Sequence, residues 1–150
     1  MNLIWTPRMT VAAVAEQDGH FLLVQERSGG RVVFNQPAGH LEDNESLIDA
    51  VVRETLEETA WHFAPTSITG VYRWRHPVSQ HTYMRVTFAG HLEEHLAEQA
   101  LDPDIEQVVW MGIEEIRQRR EQLRSPMVLR NIEDYLMGAA YPLSLLADVE

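Results

Sequence analysis

From Met9 to Ala15 the chain is almost wholly apolar, Asp18-Gly19 marks a turn, and Phe21 to Val24 resumes the apolar pattern. Two such runs flanking an aspartate-glycine pair predict a β-hairpin, because that pair tolerates the positive φ that tight hairpin turns demand. Ser28-Gly29-Gly30 interrupts the pattern before Val32-Val33-Phe34. Pro37 through Asn44 reads as a loop leading into a helix of roughly residues 46 to 59. Beyond Pro65, strand-like runs fall at roughly 67 to 75 and 82 to 92, a polar loop continues to about 104, and Glu106 to Met111 forms another short strand. Two helices should close the chain. Ile113-Glu114-Glu115-Ile116 opens the first, and Pro126 begins the second, carrying Val128, Leu129, Ile132 and Leu136; proline is tolerated at a first helical turn. Strand pairs, one central helix, further strands and terminal helices together predict an α/β sandwich around a mixed sheet, and several topologies fit that order.

The central helix carries the candidate chemistry. Glu54, Glu57 and Glu58 stand at i, i+3 and i+4 behind Arg53. At about 100° per residue, Glu54 and Glu58 lie about 40° apart and Glu57 about 60° from Glu54. Leu47, Ile48, Val51, Val52, Thr55 and Leu56 fill the other arc. Like charges at i, i+4 destabilise a helix by a few tenths of a kcal/mol, roughly, and no lysine separates these. Such an edge suits a metal ion, although a run of acidic residues is also the ordinary pattern of a solvated face. Arg53 lies about 40° from Glu57 on the wheel, so its fork can hold that carboxylate, either to orient it or as a plain helix ion pair.

Composition narrows the function classes. A chain of 150 residues, 45% hydrophobic, suits one domain spanning 1–150. It contains no apolar run long enough for a membrane span, and Met1-Asn2-Leu3-Ile4-Trp5 lacks the basic start of a leader, so a soluble, cytoplasmic protein is expected. Without cysteine there are no disulfides, thiolate metal sites or cysteine nucleophiles. A net charge of −11 disfavours the backbone of polymeric nucleic acid. It does not disfavour a small polyphosphate, because divalent cations can bridge carboxylates to phosphate oxygens while local arginines complete the clamp.

Residues 39 to 61 have the form G-x5-E-x7-R-E-U-x-E-E-x-A-U, filled by Gly39, Glu45, Arg53, Glu54, Glu57, Glu58, Ala60 and Trp61, and the segment resembles the Nudix box. Two positions depart from the family pattern: Ala60 replaces a glycine and Thr55 an aliphatic residue. The family glycine ends the helix in a conformation that alanine adopts at about 1 kcal/mol. Asn35-Gln36-Pro37-Ala38-Gly39-His40-Leu41-Glu42, Asp104-Ile105-Glu106 before Val109-Trp110, and Leu123-Arg124-Ser125-Pro126 look like the NudJ-type phosphatases within that family, over roughly residues 9 to 135.

The resemblance implies an α/β/α sandwich with the box helix packed on a central mixed sheet and the metal site at one end. It implies a Mg²⁺-dependent hydrolase, with Mn²⁺ as a substitute, of small phosphoanhydrides. Nucleoside tri- and diphosphates are the expected substrates, the pyrophosphate of the thiamine pyrimidine precursor is a further candidate, and orthophosphate is the product. Glu54 and Glu58 become the primary metal ligands, completed by Glu57 and the carbonyl of Gly39. Glu106, four residues before Trp110, is the candidate distal base, with Asp104 its rival. Glu45 at the helix start suits a structural role in stabilising the macrodipole. Among Arg27, Arg31, Arg73, Arg75, Arg85 and Arg124, the last two are the preferred phosphate contacts. Asn35 and Gln36 offer amides to a substrate edge or cap the loop backbone, and Phe34 or Trp74 could stack on a ring, although aromatics in strand patterns are usually core. The protein is expected to be a monomer or homodimer.

Two other functions compete with this one. A nucleotide-binding sensor on the same fold would typically lose the box carboxylates, and all are present here. His91-Leu92-Glu93-Glu94-His95 matches H-x-x-E-H, a zinc-peptidase pattern that needs His91, Glu94 and His95 on a helix, whereas Val86 to Gly90 before it reads as a strand.

Overall fold

The computed structural model describes residues 3–149. Eight strands and three α-helices follow in chain order: β1 (Arg8–Val14), β2 (Glu16–Gln17), β3 (His20–Ser28), β4 (Arg31–Asn35), β5 (Ala38–His40), α1 (Leu47–Thr59), β6 (Trp61–Arg75), β7 (Thr82–His95), β8 (Ile105–Gly112), α2 (Ile113–Gln118) and α3 (Pro126–Leu136). They form two sheets. One is mixed, ordered β5-β1-β7-β6, with β1 parallel to β7. The other is built around β3, which pairs with β2, β4 and β8.

The expected hairpin is corrected. β1 does not pair with β3; it lies between β5 and β7 in the mixed sheet. The chain changes sheets at Ala15, and the Asp18-Gly19 turn closes only the stub of Glu16 and Gln17 against His20 and Phe21. Both turn residues have positive φ. The apolar run before the turn is explained by burial on both faces, since Val11 to Ala15 are all buried. β6 begins at Trp61 rather than near 67, with register shifts around Phe63, Pro65 and Ile68, the bulges a proline-containing strand requires.

Helix α1 is specified locally. Ser46 caps it, its hydroxyl accepting the Asp49 N–H at 3.0 Å; Ala50 and Val51 are buried among Phe63, Ile68 and Phe88, and Thr55 is buried as well. Thr55 fills its aliphatic position without leaving a stray hydroxyl, because Oγ1 donates to the Val51 carbonyl at 2.7 Å. The helix ends at Ala60, which takes the left-handed conformation, φ 63°, and donates its N–H to Leu56. A second cluster, built on Phe21, Leu23, Phe34, Ile116, Val128 and Ile132, fixes α2 and α3 over the other side.

Candidate functional site

A cavity of about 760 Å³ opens where the Gly39 loop, α1, the β3 end, the loop before β8, the N-terminal turn of α3 and the β6–β7 hairpin meet. Gly39, Glu54, Glu58, Glu26, Asp102, Asp104, Asn35, Arg85 and Arg124 all line it. The box therefore reaches the two preferred arginines through the fold. Gly39 lies so close to Glu54 that an added Cβ would collide with the Glu54 carboxyl group, so only glycine leaves that carboxylate its place.

Arg53 holds the polar edge of α1 together. Nε and Nη2 make a two-pronged contact with Glu45 at 2.7 and 2.9 Å; Nη1 donates to Glu54 at 2.9 Å and Glu57 at 3.3 Å, and Nη2 also reaches the His40 carbonyl at 3.1 Å. The hydrogen bonds that Arg53 donates to Glu45 lead the interactions that hold it firmly protonated. Its tightest partner is thus Glu45, not the expected Glu57, which accepts only the longest of these bonds to carboxylate. Glu57 and Arg53 stand beside the cavity rather than on its wall.

The carboxylates inside the cavity are held differently. Glu58, 7% exposed, accepts the Ala38 N–H at 2.9 Å. Burial pushes its carboxyl up to about 9, outweighing that hydrogen bond, and the nearby Glu54, Glu26 and Asp102 raise it further. Burial also raises Glu54 and Glu26, against the lowering effects of Arg53 and Arg124 respectively. A crowd of buried oxygens with elevated proton affinity is a site waiting for positive charge. Among the described residues no three acidic or histidine side chains converge into a closed metal cage. Glu54 and Glu58 on the cavity wall suit a hard cation of the kind that takes one or two carboxylates and leaves its other positions to water and phosphate oxygens.

Arg85 supplies the opposite case. It is 5% exposed, and its partners are neutral: Nη1 donates to Gln36 Oε1 at 2.9 Å and to Asn131 Oδ1 at 3.5 Å. Its Nε has no partner among the described residues, nor do Asn35 Oδ1 and Asn131 Nδ2. Desolvation brings Arg85 down to about 10, partly offset by Glu58. Gln36, expected to touch substrate, is instead buried behind Arg85, its amide also donating to the Val128 carbonyl at 3.5 Å. Arg124 pairs with Glu26 across the cavity mouth.

Several expectations are not met by position. Glu106 is outside the cavity, held by Arg27 at 2.8 Å and Gln25 at 3.3 Å, contacts that lower its carboxyl below the usual range. β3 and β8 shift register here: Gln25 faces Gln107 while Glu26 faces Ile105, so Glu106 is the bulged residue and its side chain is turned away. Phe34 is buried in the core with the Arg119 guanidinium 5.7 Å from its ring centroid, so it cannot stack on a ligand. His91, Glu94 and His95 lie on β7, paired with β6, and the helix that the peptidase pattern requires is not there. Glu26, Asp102 and Asn131 were not anticipated; only the buried neighbours of Glu26 in β3 gave any signal.

The NUDIX domain family model matches residues 6–131. Phosphatase NudJ of Escherichia coli strain K12 is 39% identical over 145 residues, covering 97% of this chain and 94% of its own. A NUDIX hydrolase from Nitrosomonas europaea superposes with a TM-score of 0.93 at 44% identity, over 96% of this chain and 98% of that one. The NUDIX domain of Shewanella oneidensis NrtR, complexed with ADP ribose, shares the fold at 20% identity and a TM-score of 0.71, over 89% of each chain. With a box that packs, caps and ends as its sequence demands, and with likeness running almost end to end, the chain belongs to the Nudix hydrolase family, an enzyme of phosphoanhydride hydrolysis similar to the NudJ-type phosphatases.

Proposed function

We propose that this chain, as one domain in the cytoplasm and as a monomer or homodimer, hydrolyses nucleoside tri- and diphosphates with Mg²⁺, or Mn²⁺ in its place, and releases orthophosphate. The observation that carries this reading is the sharing of one cavity by Gly39, Glu54 and Glu58 on one side and the buried, carboxylate-free Arg85 on another. The oxygen donors of Glu54, Glu58 and the Gly39 carbonyl suit a hard divalent cation, which when bound neutralises phosphate charge and polarises phosphorus. Arg53 aims the Glu54 carboxylate and opposes the burial that raises it, and Glu57 contributes by completing the Arg53 cluster. Arg85, on the cavity wall with no carboxylate partner, donates to the terminal phosphate, and Arg124 swings from Glu26 to the same group. Asn35, on the same wall, contacts the substrate. The proton of the attacking water passes to Asp104, on the cavity wall, rather than to Glu106.

The bond that breaks is the test. Phosphorus NMR of a nucleoside triphosphate digested in oxygen-18 water is expected to show diphosphate plus labelled orthophosphate, and a diphosphate should give the monophosphate. Pyrophosphate with nucleoside monophosphate as the first products would overturn the phosphatase reading.

A further inference from the structure

The face of the mixed sheet that looks into the cavity is organised in rungs. Strand register places Arg8, Tyr83 and Trp74 side by side on one rung, Thr10, Arg85 and Tyr72 on the next, and Ala12, Thr87 and Gly70 on the third. Successive rungs are two residues apart, about 7 Å. Helix α3 covers the third rung and part of the second: Thr87 donates to Asn131 at 2.8 Å and Tyr72 to Asp134 at 2.8 Å. The first rung lies beyond these contacts. There Trp74 and Tyr83 stack with centroids 5.9 Å apart and planes at 29°, both rings line the cavity, and neither residue is buried. An aromatic cross-strand pair is ordinary sheet packing when a second layer covers it. Here the layer above is the cavity itself.

The hairpin tip adds a polar edge. His76 meets Trp74 edge-on at 5.2 Å, and its Nδ1 accepts the backbone N–H groups of Val78 and Ser79 at 3.1 and 3.2 Å. An Nδ1 that accepts two N–H groups carries no proton, so the neutral ring keeps its hydrogen on Nε2 and is a donor there. His76, Ser79 and His81 all line the cavity with the two rings.

We propose that Trp74, Tyr83 and His76 form the subsite for the ring of the substrate, one rung out from the phosphate held by Arg85, and that it takes a heteroaromatic ring presenting an acceptor atom to His76 Nε2. Trp74 and Tyr83 supply the stacking face, and His76 determines which ring edge is favoured. The inference rests on the phosphoanhydride reading for the direction in which the substrate lies, and it is tested separately from it.

The probes are the four common nucleoside 5′-monophosphates, which carry a ring and no anhydride, and inorganic tripolyphosphate, which carries anhydrides and no ring. Calorimetry with Mg²⁺ is expected to show at least one monophosphate binding the wild type. Its Kd should rise about tenfold in Trp74→Leu and be restored within about twofold in Trp74→Phe, since each stacked base contributes a factor of this order. His76→Leu should narrow the spread of affinities among the four rings. Tripolyphosphate binding should change less than about twofold in all three variants, which also shows that they are folded. Failure of all four monophosphates to bind, equal losses for monophosphate and tripolyphosphate, or unchanged monophosphate affinity in Trp74→Leu would overturn the inference. Absence of hydrolysis of any anhydride by the wild type would instead overturn the proposed function, with the ring-binding result still readable.

Discussion

Arg53 and Arg85 sit within one fold and are handled in opposite ways. Arg53 is surrounded by Glu45, Glu54 and Glu57, with Glu42 at 3.4 Å, so its charge is answered several times over. Arg85 is more deeply buried and is answered only by two amide oxygens. Satisfied charge in a partly buried network builds a scaffold, because removing any member leaves the rest uncompensated. Unsatisfied buried charge costs stability, and it survives where a ligand of opposite sign will complete it. The carboxylates show the same division: Glu45 is matched by Arg53, whereas Glu58 is buried with a single backbone N–H.

The contrast is most exposed to Glu58→Gln. If Glu58 is a metal-binding carboxylate, kcat should fall by a factor of about a thousand or more at saturating Mg²⁺, while the thermal midpoint holds or rises because a buried ionisable group has gone. Activity within about threefold of wild type would remove Glu58 from the site; Glu57→Gln should be the milder change. Next in size is the pair of arginine variants. Arg85→Gln should lose about a hundredfold in kcat/KM with no loss of thermal stability, whereas Arg53→Met should lose about 2–3 kcal/mol of unfolding free energy in urea melts as well as activity. Equal destabilisation by both would erase the distinction between scaffold and binding charge.

Acidity gives a smaller and more diagnostic effect. Below about pH 4.5 Glu58 is protonated in folded and unfolded chains alike. Between there and about 9, the unfolded chain has lost the proton that the folded one keeps. Folding then takes up a proton, and stability must fall as pH rises through that window. Glu54 and Glu26, also raised, act in the same sense. Urea midpoints measured in chelator should therefore decline from pH 5 to 9, and saturating Mg²⁺ should flatten the slope by binding the ionised form. A midpoint that climbs over this range would contradict the burial of uncompensated carboxylates. The smallest change expected is Ala60→Gly, which relieves the left-handed backbone and should add up to about 1 kcal/mol without altering kcat, as differential melting and kinetics would show.

What could be read in the sequence was whatever is encoded locally. The helix span of roughly 46 to 59, the apolar arc of α1 and the strain at Ala60 each follow from residues within one or two turns of each other. Gly39 was visible as a fixed position in a motif, and Arg85 only as one of six candidate arginines. Long-range facts were not. Two apolar runs around Asp18-Gly19 look like one hairpin whether or not the chain changes sheets between them, because strand periodicity records burial and not the identity of the neighbour. The position of Glu106 outside the cavity was hidden for a related reason: its distance from Trp110 along the chain carries no information about a bulge opposite Gln25 and Glu26. Asn131 had no signal at all, since a helix asparagine acquires meaning only when β7 puts Arg85 and Thr87 beneath it.

The sheet change at Ala15 bears on how the molecule is assembled. β1 can find β5 early, but its parallel partner β7 is made only after α1 and β6, and parallel pairings across such a length of chain close slowly. Until then the run from Val11 to Ala15 keeps one open edge during synthesis, and Arg85 has no rung to stand on. The phosphate end of the cavity is therefore among the last parts to form, so slow refolding should restore the β3–β4 hairpin well before it restores ligand binding, and crowded or hot conditions should trap chains through that unpaired apolar edge.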